Sequence, residues 1–212
     1  MTRTHWAAVT AVVLALLFAG AATVASAGGG GSESPAAPTP AADSADAGFA
    51  RDMAVHHQQA VEMSFIVRDR TRDEEVRRLA YDIANTQANQ RGMMLGWLDL
   101  WGLPKVAPDR EPMAWMGTPS HHAAPAGGGA LMPGMATAAQ LDALRAASGT
   151  QAEITYLRLM TEHHKGGVHM ARGCVERCEV GVERRLAQGM VDAQESEILL
   201  MADLLKKRGA KP

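Results

Sequence analysis

One stretch of this chain is written twice. Met53-Ala-Val-His56-His57-Gln-Gln-Ala60-Val61-Glu-Met63 returns 107 positions later as Met160-Thr-Glu-His163-His164-Lys-Gly-Gly167-Val168-His-Met170. The offset then persists without a gap. Arg78-Leu79-Ala80 recurs as Arg185-Leu186-Ala187, Gln87 as Gln194, Met94 as Met201 and Leu98 as Leu205. A register kept over two whole segments marks an internal duplication. Within each copy the apolar residues recur at i, i+3 and i+4, as in Val76, Leu79, Ile83 and Met94. That is the period of a helix with one buried stripe, and strand signals are nearly absent. Each copy therefore reads as a helical hairpin. Two such hairpins bury their stripes against one another as an all-α four-helix bundle.

The breaks between elements come from capping and terminator residues. Helix one is expected from about Ala47 to Arg70. Thr71-Arg-Asp-Glu74 has the capping-box form and is expected to open helix two, which stops at Gly102-Leu-Pro104. Residues 102–136 show no periodicity and contain Gly127-Gly128-Gly129; a short helix follows over about Thr137–Ala147. Thr150-Gln-Ala-Glu153 is expected to open helix three, reaching about Arg172 or slightly beyond, and helix four spans about Val182–Lys207. One domain, 48–208, thus consists of a hairpin 48–101, a Met/His-rich crossover 102–149 and a hairpin 150–208. So long a crossover suits a ferritin-like bundle better than a minimal up-down one.

The N-terminus reads as an export signal. Arg3 and His5 precede an apolar run from Trp6 to about Ala25, and Ala25-Ser26-Ala27 has the small-residue form of a cleavage site. Residues 1–27 are therefore expected to be a secretory leader. The run is also long enough for an uncleaved membrane anchor. Residues 28–47, made of Gly, Pro, Ala and Ser with little to bury, read as a flexible tether. Export places the protein outside the cytoplasmic membrane, in a periplasmic or cell-wall space. The two cysteines, Cys174 and Cys178, then read as a local disulfide, with a metal-binding thiolate pair as the alternative. Their counterparts in the first copy are Val67 and Thr71. With a net charge of −2 and no basic run beyond Lys206-Lys207-Arg208, nucleic acid is not an expected partner. Nor is a membrane, beyond the leader.

The chemistry lies in the repeated motif. At about 100° per residue, Met53, His56, His57, Ala60 and Met63 fall within an arc of about 120°, with Glu62 opposite. Met160, His163, His164, Gly167 and Met170 share the same arc in the second copy, and His169 falls where Glu62 does. Buried imidazoles need partners. Hydrogen bonds would supply them in a metal-free core; a metal ion would supply them otherwise. Neighbouring histidines diverge by about 100° on a helix. One of each pair is then expected to bind metal with a methionine, and the other to serve a second site or an outer role. Gln87, Gln194 and Glu197 face inward at helical spacing and are candidates to hydrogen-bond the histidines.

Glu-x-x-His, H-E-x-x-H and C-x-x-C are all absent, which argues against di-iron and common zinc chemistry. Thioether beside imidazole selects copper, Cu(I) above Cu(II). Met113-x-x-Met116, His121-His122 and Met132-x-x-Met135 put further soft donors into the crossover. No serine sits in a Gly-flanked elbow, and nothing marks a catalytic nucleophile.

Four blocks of this chain resemble the DUF305 family. They are Phe49–Met63 (F-x-x-x-M-x-x-H-H-x-x-A-[VI]-x-M), Leu79–Gln87 (L-A-x-x-I-x-x-x-Q), Met132-Pro-Gly-Met135 with the Leu141/Leu144 helix, and Met160–Met170 with Gln194-x-x-Glu197-Ile198-x-x-Met201. The resemblance spans about 48–207. It implies an exported ferritin-like helical bundle, with some members similar to periplasmic copper-binding proteins that protect against copper. Carried over by position, the metal ligands it implies are Met53, His56, His57, Met63, Met160, His163, His164 and Met170. Two departures stand out: Gln90-Arg91 where the family usually has Glu-Ile, and Cys174 with Cys178. The expected function is a non-enzymatic, exported copper-binding protein. It would buffer, sequester or transfer copper, with a second copper-handling protein as exchange partner. A metal-dependent oxidoreductase on the same histidines is one alternative, and a metal-free interaction module with a histidine pH switch is another.

Overall fold

The computed structural model describes residues 39–117 and 130–211. The expected leader 1–27, the tether up to residue 38, His121-His122 and Gly127-Gly128-Gly129 lie outside these residues. Five helices carry the described chain: α1 (Ala45–Arg70), α2 (Glu74–Leu100), α3 (Ala138–Ala146), α4 (Gly149–Arg177) and α5 (Gly181–Lys207). A short 3-10 turn over Ala114–Met116 lies in the crossover, and no strand occurs among the described residues. The four long helices form the expected bundle. α1 pairs with α2 and α4 with α5, and the hairpins meet chiefly along α1 and α4. α3 closes one end against both of those helices. No helix among the described residues is long and apolar enough to cross a membrane.

Several boundaries differ from the sequence reading, two of them because a capping side chain is engaged elsewhere. α1 begins at Ala45, so residues 45–47 of the expected tether are helical. Ser44 caps them by accepting from the Ala47 amide at 3.2 Å. Asp46 pins this first turn to the α4–α5 turn by accepting from the amides of Glu179 and Val180, at 3.0 and 2.8 Å. Thr71 does not open α2; it closes α1, and Asp73 caps α2 by accepting from the Val76 amide at 2.9 Å. The Thr71 hydroxyl instead donates to buried Glu153 at 2.5 Å, and Arg208 Nε donates to the same carboxylate at 2.6 Å. Tertiary pairing has therefore claimed both halves of the expected boxes, Thr71 and Glu153. α4 starts at Gly149 without a side-chain cap. The capping box that does form joins Thr137 and Gln140 at the head of α3. α4 also runs past Arg172 to Arg177, with the Cys174–Cys178 disulfide spanning its last turn.

The core divides into two apolar clusters. One gathers Phe49, Met53, Met94, Leu98, Met170 and Met190; the other gathers Met63, Ile83, Leu144, Tyr156, Leu157, Met160 and Met201. Each of these large side chains contributes about 1.5–3 kcal/mol on burial. Between the clusters, midway along α1 and α4, lies a polar layer. Part of the crossover straps across it. Gln59 on α1 donates its amide to the Ala136 carbonyl at 2.8 Å and accepts from the Ala136 amide at 2.6 Å. Gly134 lies against α4 with a φ of 78°, and a Cβ there would stand 2.3 Å from the Glu162 carbonyl oxygen. Only glycine fits both the backbone twist and the contact.

Candidate metal centre

The polar layer is made of the four motif histidines, each fully buried. His56 from α1 and His163 from α4 stack across the hairpin interface, with ring centroids 3.8 Å apart and planes tilted by 35°. His164 lies 6.3 Å from His163, centroid to centroid. The close approach of helix to helix depends on small residues. Ala60 is fully buried, and a Cβ on its counterpart Gly167 would stand 2.4 Å from Gln194 Oε1.

Each imidazole spends one nitrogen on the protein. His163 Nε2 meets the His56 carbonyl at 2.9 Å, and His56 Nε2 meets the Pro133 carbonyl of the strap at 3.2 Å. His164 Nε2 meets the Glu197 carboxylate at 2.5 Å, and His57 Nε2 meets Gln90 Oε1 at 2.8 Å. Carbonyl and carboxylate oxygens only accept, so these bonds put the proton on Nε2. Nδ1 is left as a bare lone pair. In all four histidines that Nδ1 is buried and has no hydrogen-bond partner. A neutral imidazole with its far nitrogen tied to an oxygen is how proteins orient a metal-binding histidine.

Burial keeps His56, His57 and His163 neutral. Burial, then the neighbouring His57, pushes His56 down to about 3. Burial pushes His57 down to about 4, against the opposing pull of its Gln90 bond. His163 sits well below the ordinary histidine range through burial and then through His56, His164 and His57. Protons therefore do not compete for the lone pairs of His56, His57 and His163 near neutral pH.

The four motif methionines are fully buried as well. Met53 and Met170 belong to one apolar cluster, and Met63 and Met160 to the other. The structure thus brings all eight sequence-selected residues into the bundle interior on α1 and α4. His169 is exposed, as its helical phase requires. The imidazoles alone do not make a three-donor cluster. Among the described residues, the group of His, Cys, Asp or Glu donors within 4.8 Å of one another is Cys174, Cys178 and Glu183. A three-donor centre in this layer would need a donor of another kind beside the imidazoles.

The neighbours differ in part from expectation. Glu197 does meet His164. Gln87 and Gln194 are buried but their Oε1 atoms find no partner, and Gln90, one turn from Gln87, serves His57. The duplication carries the signal for this, because Gln90 plus 107 is Glu197. In the crossover, Met113 and Met132 are buried, and Met116 packs on Gly173. The carbonyl of Pro133 on His56 had no sequence signal, since any residue type offers one.

Comparison with known proteins follows from this geometry. The family model for the domain of unknown function DUF305 matches residues 46–205. A crystal structure of a DUF305 protein described as secreted, from Streptomyces coelicolor, is 72% identical with a TM-score of 0.74. It covers 81% of this chain and 98% of its own. A DUF305 fragment from Deinococcus radiodurans is 30% identical with a TM-score of 0.62, covering 77% and 96%. CopM in its Cu(I)-bound form is 22% identical with a TM-score of 0.57, covering 76% and 96%, a likeness that carries the fold. No match emerges among curated proteins. The doubled histidine motif, the helical bundle and the match over three quarters of the chain agree, and the chain belongs to the DUF305 family.

Proposed function

We propose that this protein is an exported copper-binding protein that buffers, sequesters or hands over copper through its paired His/Met motifs. One observation carries the reading: four buried Nδ1 atoms without a hydrogen-bond partner sit on the two helices that also bury four thioethers. Leaving a buried acceptor unpaired costs about 1–3 kcal/mol, and a coordinated ion removes that cost. Imidazole and thioether together favour copper, and thioether favours Cu(I). CopM, which shares the fold, is known in Cu(I)-bound, Cu(II)-bound and silver-bound forms. Binding is favoured over turnover because all four imidazoles are fully buried. That setting suits a bare ion and shields it from organic substrates. Export is supported by the N-terminal leader pattern and by the secreted description of the Streptomyces relative. The soft donors of the crossover support hand-over to a second copper-handling protein.

The test is an anaerobic Cu(I) titration against a competing chelator, with the disulfide left intact, read beside thermal unfolding. Binding should raise the melting temperature, since an ion at 100 times its Kd adds about 2.7 kcal/mol to the folded state. The variant H56A/H57A/H163A/H164A, checked for helix content by circular dichroism, should lose the copper. Unchanged stoichiometry in that variant overturns the reading.

A further inference from the structure

Away from the imidazole layer, the start of α1 meets the α4–α5 turn at a corner with its own chemistry. Cys174 Sγ, Cys178 Sγ and a Glu183 carboxyl oxygen lie within 4.8 Å of one another, and none of the three residues is more than 2% exposed. Neither oxygen of Glu183 is met by a backbone amide or a cationic side chain, and its polar neighbour is the Asp46 carboxyl. Its neighbour Asp46 is held by two backbone amides. No cationic side chain pairs with Asp46 or Glu183 among the described residues. Arg184 reaches the Cys178 carbonyl instead, at 3.4 Å. A second buried carboxyl group beside Asp46, with no cation to pair either, is costly to ionise.

The duplication shows that folding does not require this set. The positions equivalent to Cys174, Cys178 and Glu183 are Val67, Thr71 and Val76, and that to Asp46 is Glu153. At that other end Val67 and Val76 are plain core, and Glu153 has Arg208 as its cation. Two sulfurs and a carboxyl group thus appear together, in one half only, where the other half has plain core and a hydroxyl.

We propose that reduction of the Cys174–Cys178 disulfide turns this corner into a second metal site, where two thiolates and Glu183 hold a thiophilic divalent cation of the zinc class. Two sulfurs and a carboxylate oxygen belong to zinc's usual donor set, and the carboxylate favours a divalent over a monovalent ion. The disulfide form is closed to metal, because its sulfurs carry no thiolate charge. An external dithiol supplies two electrons and two protons; the S–S bond breaks, two thiols form, and the dithiol leaves as its own disulfide. The cation then displaces both thiol protons and the Glu183 carboxyl proton to solvent as two metal–sulfur bonds and one metal–oxygen bond form.

The experiment uses the full protein, reduced with excess dithiol under anaerobic conditions, freed of reductant and titrated with Co(II). One equivalent should produce sulfur-to-cobalt charge-transfer absorption, and the unreduced protein should produce none. E183Q should bind at least about tenfold more weakly. C174V/C178T installs the residue types of the first half, so it should keep its helix content and lose the absorption. Absence of the charge-transfer band in the reduced protein overturns the proposal, as does E183Q binding as tightly as the parent. The copper reading is tested with the disulfide intact, so the two fail separately.

Discussion

Gln90 and Glu197 occupy the same place in the two copies and differ by one charge. Glu197 takes the Nε2 proton of His164 on a carboxylate, whereas Gln90 meets His57 with a neutral amide. A carboxylate behind an imidazole makes the other nitrogen a stronger donor. The two halves should therefore hold copper unequally, the second more tightly. E197Q is expected to weaken binding by about 10–100-fold and Q90E to strengthen it, both read by Cu(I) competition. Equal affinity across the parent and both variants would refute the assignment. Sequence alone picked Gln87 for this task because Gln87 and Gln90 sit three residues apart on the same inward stripe. Helical phase does not separate them; distance along the helix to the ring does.

Among the elements, the strap Met132–Ala136 is the one whose role the sequence hid. Its composition reads as loop, and its only sequence clue was the pair Met132 and Met135. In the structure it roofs His56, with Gln59 gripping Ala136 through two hydrogen bonds and Gly134 pressed onto α4. G134A adds a Cβ at a positive φ and against a carbonyl oxygen. The expected loss is about 1–3 kcal/mol, together with release of the Pro133 carbonyl from His56. Urea unfolding measures the first, and histidine NMR signals report the second. An unchanged midpoint would mean that the strap yields freely. The long helices themselves were legible, since their stripes repeat over many turns. Their ends were less so. Thr71 and Glu153 each fit a capping pattern, but their side chains meet one another across the bundle, and local grammar cannot anticipate a partner 82 residues away.

For the whole molecule, buried ionisable groups should give the metal-free protein a stability maximum near pH 6.5. Histidines in the unfolded chain titrate near 6.5, but His56 and His57 in the fold titrate near 3 and 4, and His163 lies well below the ordinary range. As pH falls below 6.5 the unfolded chain takes up protons that the fold refuses. Stability then declines by about 1.4 kcal/mol per pH unit for each such histidine. Glu183 works in the other direction. Burial and then the charge of Asp46 push its carboxyl up to about 9 from 4.5, so above 4.5 the unfolded chain releases a proton that the fold retains. That stability is full below pH 4.5 and is lost as pH rises towards 9. Three histidines outweigh one glutamic acid on the acid side; on the alkaline side Glu183 acts without opposition from them. Urea titrations from pH 4.5 to 9 should trace a bell, and E183Q should flatten its alkaline limb and steepen its acid limb. Cu(I) should extend the acid limb downward, because a metal on Nδ1 occupies the lone pair that a proton needs. If the acid limb does not move with copper, the ion binds away from these imidazoles. A flat profile for the metal-free protein would mean that the rings charge freely inside the fold, and the neutral, metal-ready layer would have to be given up.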